Sequence, residues 1–199
     1  MSHEADERDD ATLTQLAASG DGAAFAVLVR RHSAALLRYL GSLGAHSAQA
    51  DDAAQDALVD FWTHAPTLTS SSVRAWLFTA GRRRLLRANR HAAVHPLDDA
   101  RACELADQAD LAVLARAAGF GAESLPEAQL SEAESLLRLH RAIDRLSPHY
   151  REVIVLVDLE SLSYDAAAAI TNLSVPSVRS RLHRARLALA ASVREEVIS

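Results

Sequence analysis

Cysteine is almost absent from this chain. Cys103 stands alone, so no internal disulfide can staple the fold. Lysine is missing altogether, and all 21 basic residues are arginine, a habit of composition with no mechanism of its own. Aromatic residues make up only 5%, while alanine and leucine dominate a hydrophobic share of 49%, which favours helices over sheets. No stretch alternates apolar and polar side chains as a half-buried strand would. There is no signal peptide, lipidation motif or membrane-length apolar run, so the expected compartment is a reducing cytoplasm. No glycine-rich phosphate loop or nucleophile elbow occurs either, which argues against an enzyme. The 199 residues leave room for one or two domains.

Acidic charge is also missing, but only locally. The net charge is -5, unpromising for a partner of nucleic acid until it is mapped along the chain. From Pro66 to Leu97 there is no Asp or Glu, yet Arg74, Arg82, Arg83, Arg84, Arg87 and Arg90 are present. From Asp98 to Glu134 nine carboxylates face only Arg101 and Arg116, and beyond Ser161 arginine returns. Local patches decide where phosphate binds. The alternation implies two nucleic-acid-contacting modules joined by an acidic connector.

The second basic stretch has a recognisable shape. Ser163 is a good N-cap for an alanine-rich helix from Tyr164 to Ile170. Asn172 tolerates the left-handed conformation that closes such a helix. Ser174 then caps a second helix with Pro176 in its first turn, where a missing N–H is no loss. Val175, Val178, Leu182, Ala185 and Leu189 recur at helical steps as the buried stripe. Arg179, Ser180, His183, Arg184 and Arg186 are left facing outward. This is a helix-turn-helix, whose second helix fits the DNA major groove. The pattern also fits an amphipathic hairpin whose arginines only face water.

The N-terminal module reads as four helices, enough to close a small bundle. They are expected at Thr12–Ala18, Ala23 to about Leu40, Asp51–His64 and Val73 to about Arg90. Gly20-Asp21-Gly22, Gly41 to Gly44, and Pro66 with the Thr/Ser run 67–72 are the breaks. Phe25, Leu28, Val29, Leu36 and Leu37 mark one apolar side, Ala54, Leu58, Phe61 and Trp62 another, and Trp76, Leu77, Ala80 and Leu85 a third.

Four segments in order resemble those of bacterial RNA polymerase sigma factors of the compact extracytoplasmic-function type, which carry only regions two and four. Ala50 to Leu58 with Phe61-Trp62 is similar to the family's acidic docking pattern with its terminal Trp. Arg74-Ala75-Trp76-Leu77-Phe78 resembles the opening of the promoter-melting helix. Leu146-Ser147-Pro148-His149-Tyr150-Arg151-Glu152-Val153 resembles the start of region four, and Ser174 to Arg186 its recognition helix. The resemblance spans nearly the whole chain except the connector. It implies an all-α fold with region two at 1–92, an acidic linker at 93–130 and region four at 131–199.

The resemblance also assigns partners. Asp51, Asp52, Gln55, Asp56, Phe61 and Trp62 match the face that docks on the clamp helices of the largest polymerase subunit; region four meets the flap of the second largest. Arg74, Trp76, Arg82, Arg83, Arg84, Arg87 and Arg90 match the surface that reads and melts the -10 element, with the loop Thr67 to Val73 as its specificity loop. Arg83 stands where the family usually has a base-holding Asn, and an arginine there can stack on a base or grip phosphate. Ser177, Arg179, Ser180, His183, Arg184 and Arg186 fall on the -35 reader, where Pro176-Ser177 replaces the family's usual Gly-Thr. An anti-sigma partner is implied, and a helix over Leu111–Ala118 would pack the two modules together.

No cofactor or metal is expected. His91 and His95 are a helical turn apart, but Pro96 ends that helix and no third ligand is near. Asp51, Asp52, Asp56 and Asp60 lack the loop glycine of a calcium site. Two other functions fit parts of the pattern: a one-component helix-turn-helix regulator that binds DNA without polymerase, and a helical adaptor that binds protein alone.

Overall fold

The computed structural model describes residues 8–65, 72–91 and 132–198. Every element among them is helical. The N-terminal part comprises α1 (Asp10–Ala18), α2 (Gly22–Ser42), α3 (Ser47–His64) and α4 (Val73–His91). The C-terminal part comprises α5 (Glu132–Arg145), α6 (Pro148–Ile154), a π-helical turn over Val155–Leu159, α7 (Tyr164–Thr171) and α8 (Val175–Ile198).

Capping chemistry sets where the first helices begin, earlier than apolar periodicity suggests. The Asp9 carboxylate accepts from Thr12 N–H at 2.8 Å, which starts α1 at Asp10. The Asp21 carboxylate accepts from Ala23 and Ala24 N–H at 2.9 and 3.1 Å, so Gly22 opens α2 instead of breaking the chain. At the start of α3 the Gln49 side chain accepts from His46 N–H at 3.3 Å, and the helix starts at Ser47, a turn before Asp51. Gly44, at φ +84°, takes the left-handed turn that ends the α2 region.

Helices α2, α3 and α4 pack on one another, and α1 lies along α2. Asp10 fixes α1 there, holding Arg31 at 3.0 Å and His32 Nε2 at 2.7 Å. Tyr39, Phe61, Phe78, Leu36, Leu40, Leu77 and Leu85 fill the centre. The α2–α4 crossing is close. A Cβ on Gly81 would sit 3.1 Å from Leu36 Cδ1 and 3.3 Å from Leu40 Cδ2, so any larger residue there needs those leucines to shift by a few tenths of an ångström.

In the C-terminal part, α8 runs against α5, α6 and α7. Ile143, Leu146, Tyr150, Val153, Ile154, Leu182 and Ala185 form its own small core. The larger core does not stop at the module boundary. Val155, Leu156, Ala167, Ala168, Ile170 and Val178 belong to the same apolar cluster as the α2–α4 side chains. Helix α7 lies on α4, while α6 and the π turn rest on α2. The segments 66–71 and 92–131, which hold most of the expected specificity loop, His95, Cys103 and the Leu111–Ala118 helix, lie outside the described residues.

Candidate nucleic-acid interface

Helices α7 and α8 meet at a tight reversal. Asn172 sits at φ 60°, ψ 38°, the left-handed conformation expected of it, and Leu173 N–H closes onto the Ala168 carbonyl at 3.0 Å. Ser163 Oγ accepts from Ala166 N–H at 3.1 Å, and Ser174 Oγ accepts from Ser177 N–H at 3.2 Å; both act as helix caps. Val178, Leu182 and Ala185 are buried, with Val175 and Leu189 at the edge of the stripe. The opposite face carries Arg179, Ser180 and His183, all exposed, with Arg184 half-exposed beside them. Arg179 lies over the Tyr164 ring at 5.4 Å, a cation–π contact that restricts its side chain before any ligand arrives. Ser177 shares a 2.8 Å hydrogen bond with Ser174. Arg186 is committed elsewhere: it grips Asp158 through Nε and Nη2 at 3.0 and 2.6 Å. Those hydrogen bonds, led by the side-chain contact with Asp158, raise its affinity for the proton.

The α4 arginines divide into two sets. Arg83 and Arg87 are exposed. Arg84 forks onto Asp60 of α3 at 2.7–3.0 Å and reaches Asp56 at 3.5 Å, a geometry that locks α4 to α3. Arg74 donates to the Glu160 carbonyl at 3.0 Å and lies 3.5 Å from its carboxylate. Arg82 Nε donates to Glu152 at 2.8 Å, and Tyr39 O–H donates to the same oxygen at 2.9 Å. Burial, then the Glu152 charge, pushes the Tyr39 hydroxyl well above its ordinary range, so it stays a donor. Burial works against the Arg82 charge, but Glu152 and Tyr39 outweigh it and the guanidinium is held protonated more firmly than usual. Trp76 is half-buried, its ring edge-on to Phe61 at 5.5 Å and 6.2 Å from His64. The side chain of Arg90 lies outside the described residues.

The acidic face of α3 is open. Asp51, Asp52, Gln55 and Asp56 are exposed, next to Val59 at 56% and Trp62 at 36% exposure. Trp62 leans on Phe25 at 4.8 Å with its outer face in solvent, not inward as its apolar spacing suggests. Phe61, expected on the docking face, is 1% exposed and belongs to the core. The one-residue step between them, about 100° around a helix, separates anchor from surface. The α3 carboxylates and the exposed Trp62 side chain thus form one acidic face with an aromatic end. Among the described residues, no three His, Cys, Asp or Glu side chains gather as metal ligands.

Sequence reasoning missed Arg38, Tyr39, Glu152 and Glu160, which join the two modules. Arg38 Nη2 donates to the Glu160 carboxylate at 2.9 Å. The available signal was a lone tyrosine in the apolar stripe of α2 and a glutamate inside the run Tyr150 to Val157.

A helical bundle with an acidic face, carrying a helix-turn-helix with an exposed arginine face, defines a DNA-binding factor that also docks on protein. Residues 28–94 match sigma-70 region 2, and residues 136–189 match sigma-70 region 4. The RNA polymerase sigma factor CnrH of Cupriavidus metallidurans is 34% identical, over 93% of this chain and 94% of its own. NccH of Alcaligenes xylosoxydans xylosoxydans is 31% identical over 92% and 93%, and the ECF sigma factor SigL of Mycobacterium tuberculosis 30% over 89% and 95%. Among solved structures, CnrH in complex with the cytosolic domain of CnrY superposes with a TM-score of 0.60 at 28% identity, covering 96% of this chain and 99% of that one. RpoE in complex with the anti-sigma factor NepR from Bartonella quintana gives 0.54 at 25%, covering 80% and 90%. The chain belongs to the extracytoplasmic-function sigma factors of RNA polymerase. It binds the polymerase core and directs promoter-specific initiation, and a regulator acting without core is not favoured.

Proposed function

We propose a division of labour in which α8 reads the -35 element, α4 holds the melted -10 region, and the acidic face of α3 docks on the polymerase clamp helices. The modules are region two at 1–92 and region four at 131–199, with 93–130 as the acidic linker and the flap as region four's support. The observation that carries this reading is the exposed row Arg179, Ser180 and His183 on α8 above a capped, buried-stripe turn. That is the geometry of a helix that enters the major groove. Arginine reads guanine through two hydrogen bonds; serine and histidine take base or phosphate. The exposed Arg83 and Arg87 supply charge to the opened strand. Arg186, paired with Asp158, acts as a brace for α8 and not as a primary reader.

Catalysis lies with polymerase, and this chain contributes recognition and strand opening. No helix among the described residues is long and apolar enough to cross a membrane. Since CnrH and RpoE are each seen with a partner that binds a sigma factor, an anti-sigma protein is the expected control here as well. Run-off transcription with purified core on a library of upstream sequences tests the reading: core-dependent initiation at a shared promoter motif is expected. Sequence-specific binding by the chain alone, unaffected by core, would overturn it.

A further inference from the structure

Region four rests on region two against three of its arginines, and it does so with two carboxylates. Glu160, its side chain 3% exposed, lies between Arg38 of α2 at 2.9 Å and Arg74 of α4 at 3.5 Å. Glu152, also 3% exposed, takes Arg82 at 2.8 Å and the Tyr39 hydroxyl. The two carboxylates flank the π turn Val155–Leu159, which presents Val155 and Leu156 to the shared core. They stand as far apart in sequence as Arg74 and Arg82 do on α4. Converging arginines from separate helices form the cradle that an oxyanion with several acceptor oxygens requires.

We propose that Glu152 and Glu160 stand in for DNA phosphates: they occupy the arginines with which region two grips the opened strand, and so hold the free factor shut. The proposal rests on the sigma-factor reading above and adds Arg38 to the strand-binding set. A buried ion pair contributes little net stability over an apolar contact, because desolvation offsets attraction. Such a pair is easily exchanged for another of the same chemistry. A phosphodiester offers Arg38, Arg74 and Arg82 the charge and acceptors that the carboxylates offer, and a polymerase that draws the modules apart frees all three together. In the closed chain Arg83 and Arg87 remain exposed, Arg82 is 15% and Arg74 35% exposed, and Arg38 keeps 59% of its side chain in solvent with its Nη2 held by Glu160, so only part of the strand surface is open. The α8 face bearing Arg179 and His183 stays open in both states.

The test uses the full chain without core, with fluorescence anisotropy on a short single-stranded oligodeoxynucleotide of mixed sequence. Glu160→Gln should bind it about tenfold more tightly than wild type, as the competent fraction rises. The salt dependence should steepen by about 0.7 in log–log slope for each phosphate gained. Small-angle scattering should show the variant expanded at unchanged helical content. Adding Arg38→Gln to Glu160→Gln should take back about one phosphate's share of the gain and leave that of Arg74 and Arg82. Glu152→Gln should act in the same direction, but the buried Tyr39–Arg82 pair makes it the less secure variant, so Glu160 carries the test. Wild-type affinity and slope in Glu160→Gln, or a gain that Arg38→Gln leaves undiminished, would overturn the latch. Run-off by wild type with core is the control for the underlying reading. Its absence removes both; normal run-off with unchanged oligonucleotide binding removes the latch alone. With core bound, Glu160→Gln should transcribe like wild type.

Discussion

Arg179 and Tyr39 show how much one side chain can carry. Stacking over Tyr164 pre-orders Arg179 for the groove, and Arg184 lies a little more than a turn further along α8. Arg179→Ala and Arg184→Ala should each cost about 1–3 kcal/mol of promoter binding if they reach base edges. For Arg179 the loss should come with relaxed sequence preference, scored on a promoter library. Transcription of the native promoter at wild-type levels by both variants, at physiological salt, would remove these contacts. Tyr39 makes the pH argument. Its hydroxyl is an acid whose folded value lies well above the ordinary 10.0, because burial and then Glu152 disfavour the phenolate. The stability it contributes is therefore complete below pH 10 and is lost as the pH rises beyond it toward the folded value. Tyr39→Phe should cost about 1–3 kcal/mol at neutral pH, since it leaves a buried carboxylate with one donor fewer. It should also flatten the alkaline fall in urea midpoints. A midpoint above pH 10 that drops equally in both proteins would show that Tyr39 is not its source.

Helix α3 is the clearest case at the scale of an element. Its two faces follow periodicity: Ala53, Ala54 and Ala57 go inward, and Asp52, Gln55, Asp56 and Val59 outward. Charge reversal on the outer face should abolish holoenzyme formation and spare the helix. Asp56→Arg should lose co-elution with core polymerase at unchanged helical content. Asp56 is also 3.5 Å from Arg84, so its reversal disturbs the α3–α4 brace. Asp52→Arg, exposed on the same helix, is the companion that separates the effects. Retained co-elution in both variants would sink the docking assignment. Helix α6 shows the opposite case. Nothing in Tyr150 to Leu159 announces an i→i+5 turn, yet Glu160 N–H closes on the Val155 carbonyl at 2.9 Å and Ser161 follows at φ 54°. That turn places Glu160 against α2 and α4.

At the scale of the whole molecule, the larger core among the described residues spans both modules, with a smaller core inside the C-terminal one. Because Leu156 and Ile170 share an apolar cluster with α2 and α4, the modules should unfold in a single calorimetric transition. Ile170→Ala should lower stability by about 2–5 kcal/mol, and its transition should broaden or split as the modules uncouple. A truncation in which region two melts at the wild-type temperature without region four would contradict that coupling. Regulation belongs to this scale too. With an open acidic face on α3 and an open arginine face on α8, an inhibitor that covers both is the expected control. A pull-down from source cells should recover it with the factor at equal stoichiometry. Core polymerase alone in that pull-down, with full activity at every growth stage, would argue decisively against it.

Composition, capping residues and spacing by themselves determined the all-helical fold, the Asn172 reversal, the buried stripe of α8 and the open acidic face of α3. Each depends on neighbours within a turn or two, where side-chain direction follows from residue number. The family resemblance, carried by four short segments, fixed the function for the same reason: its motifs are local. Only the tertiary structure decided which arginines are free. Arg84 against Asp60, Arg186 against Asp158, and Arg74 and Arg82 against Glu160 and Glu152 are long-range pairs, invisible to periodicity. It also decided that Phe61 is core while Trp62 is surface, since that depends on where Phe25 and Trp76 lie. Charge along a chain states what is available to bind; the partners that folding brings within 3.5 Å determine what remains to bind with.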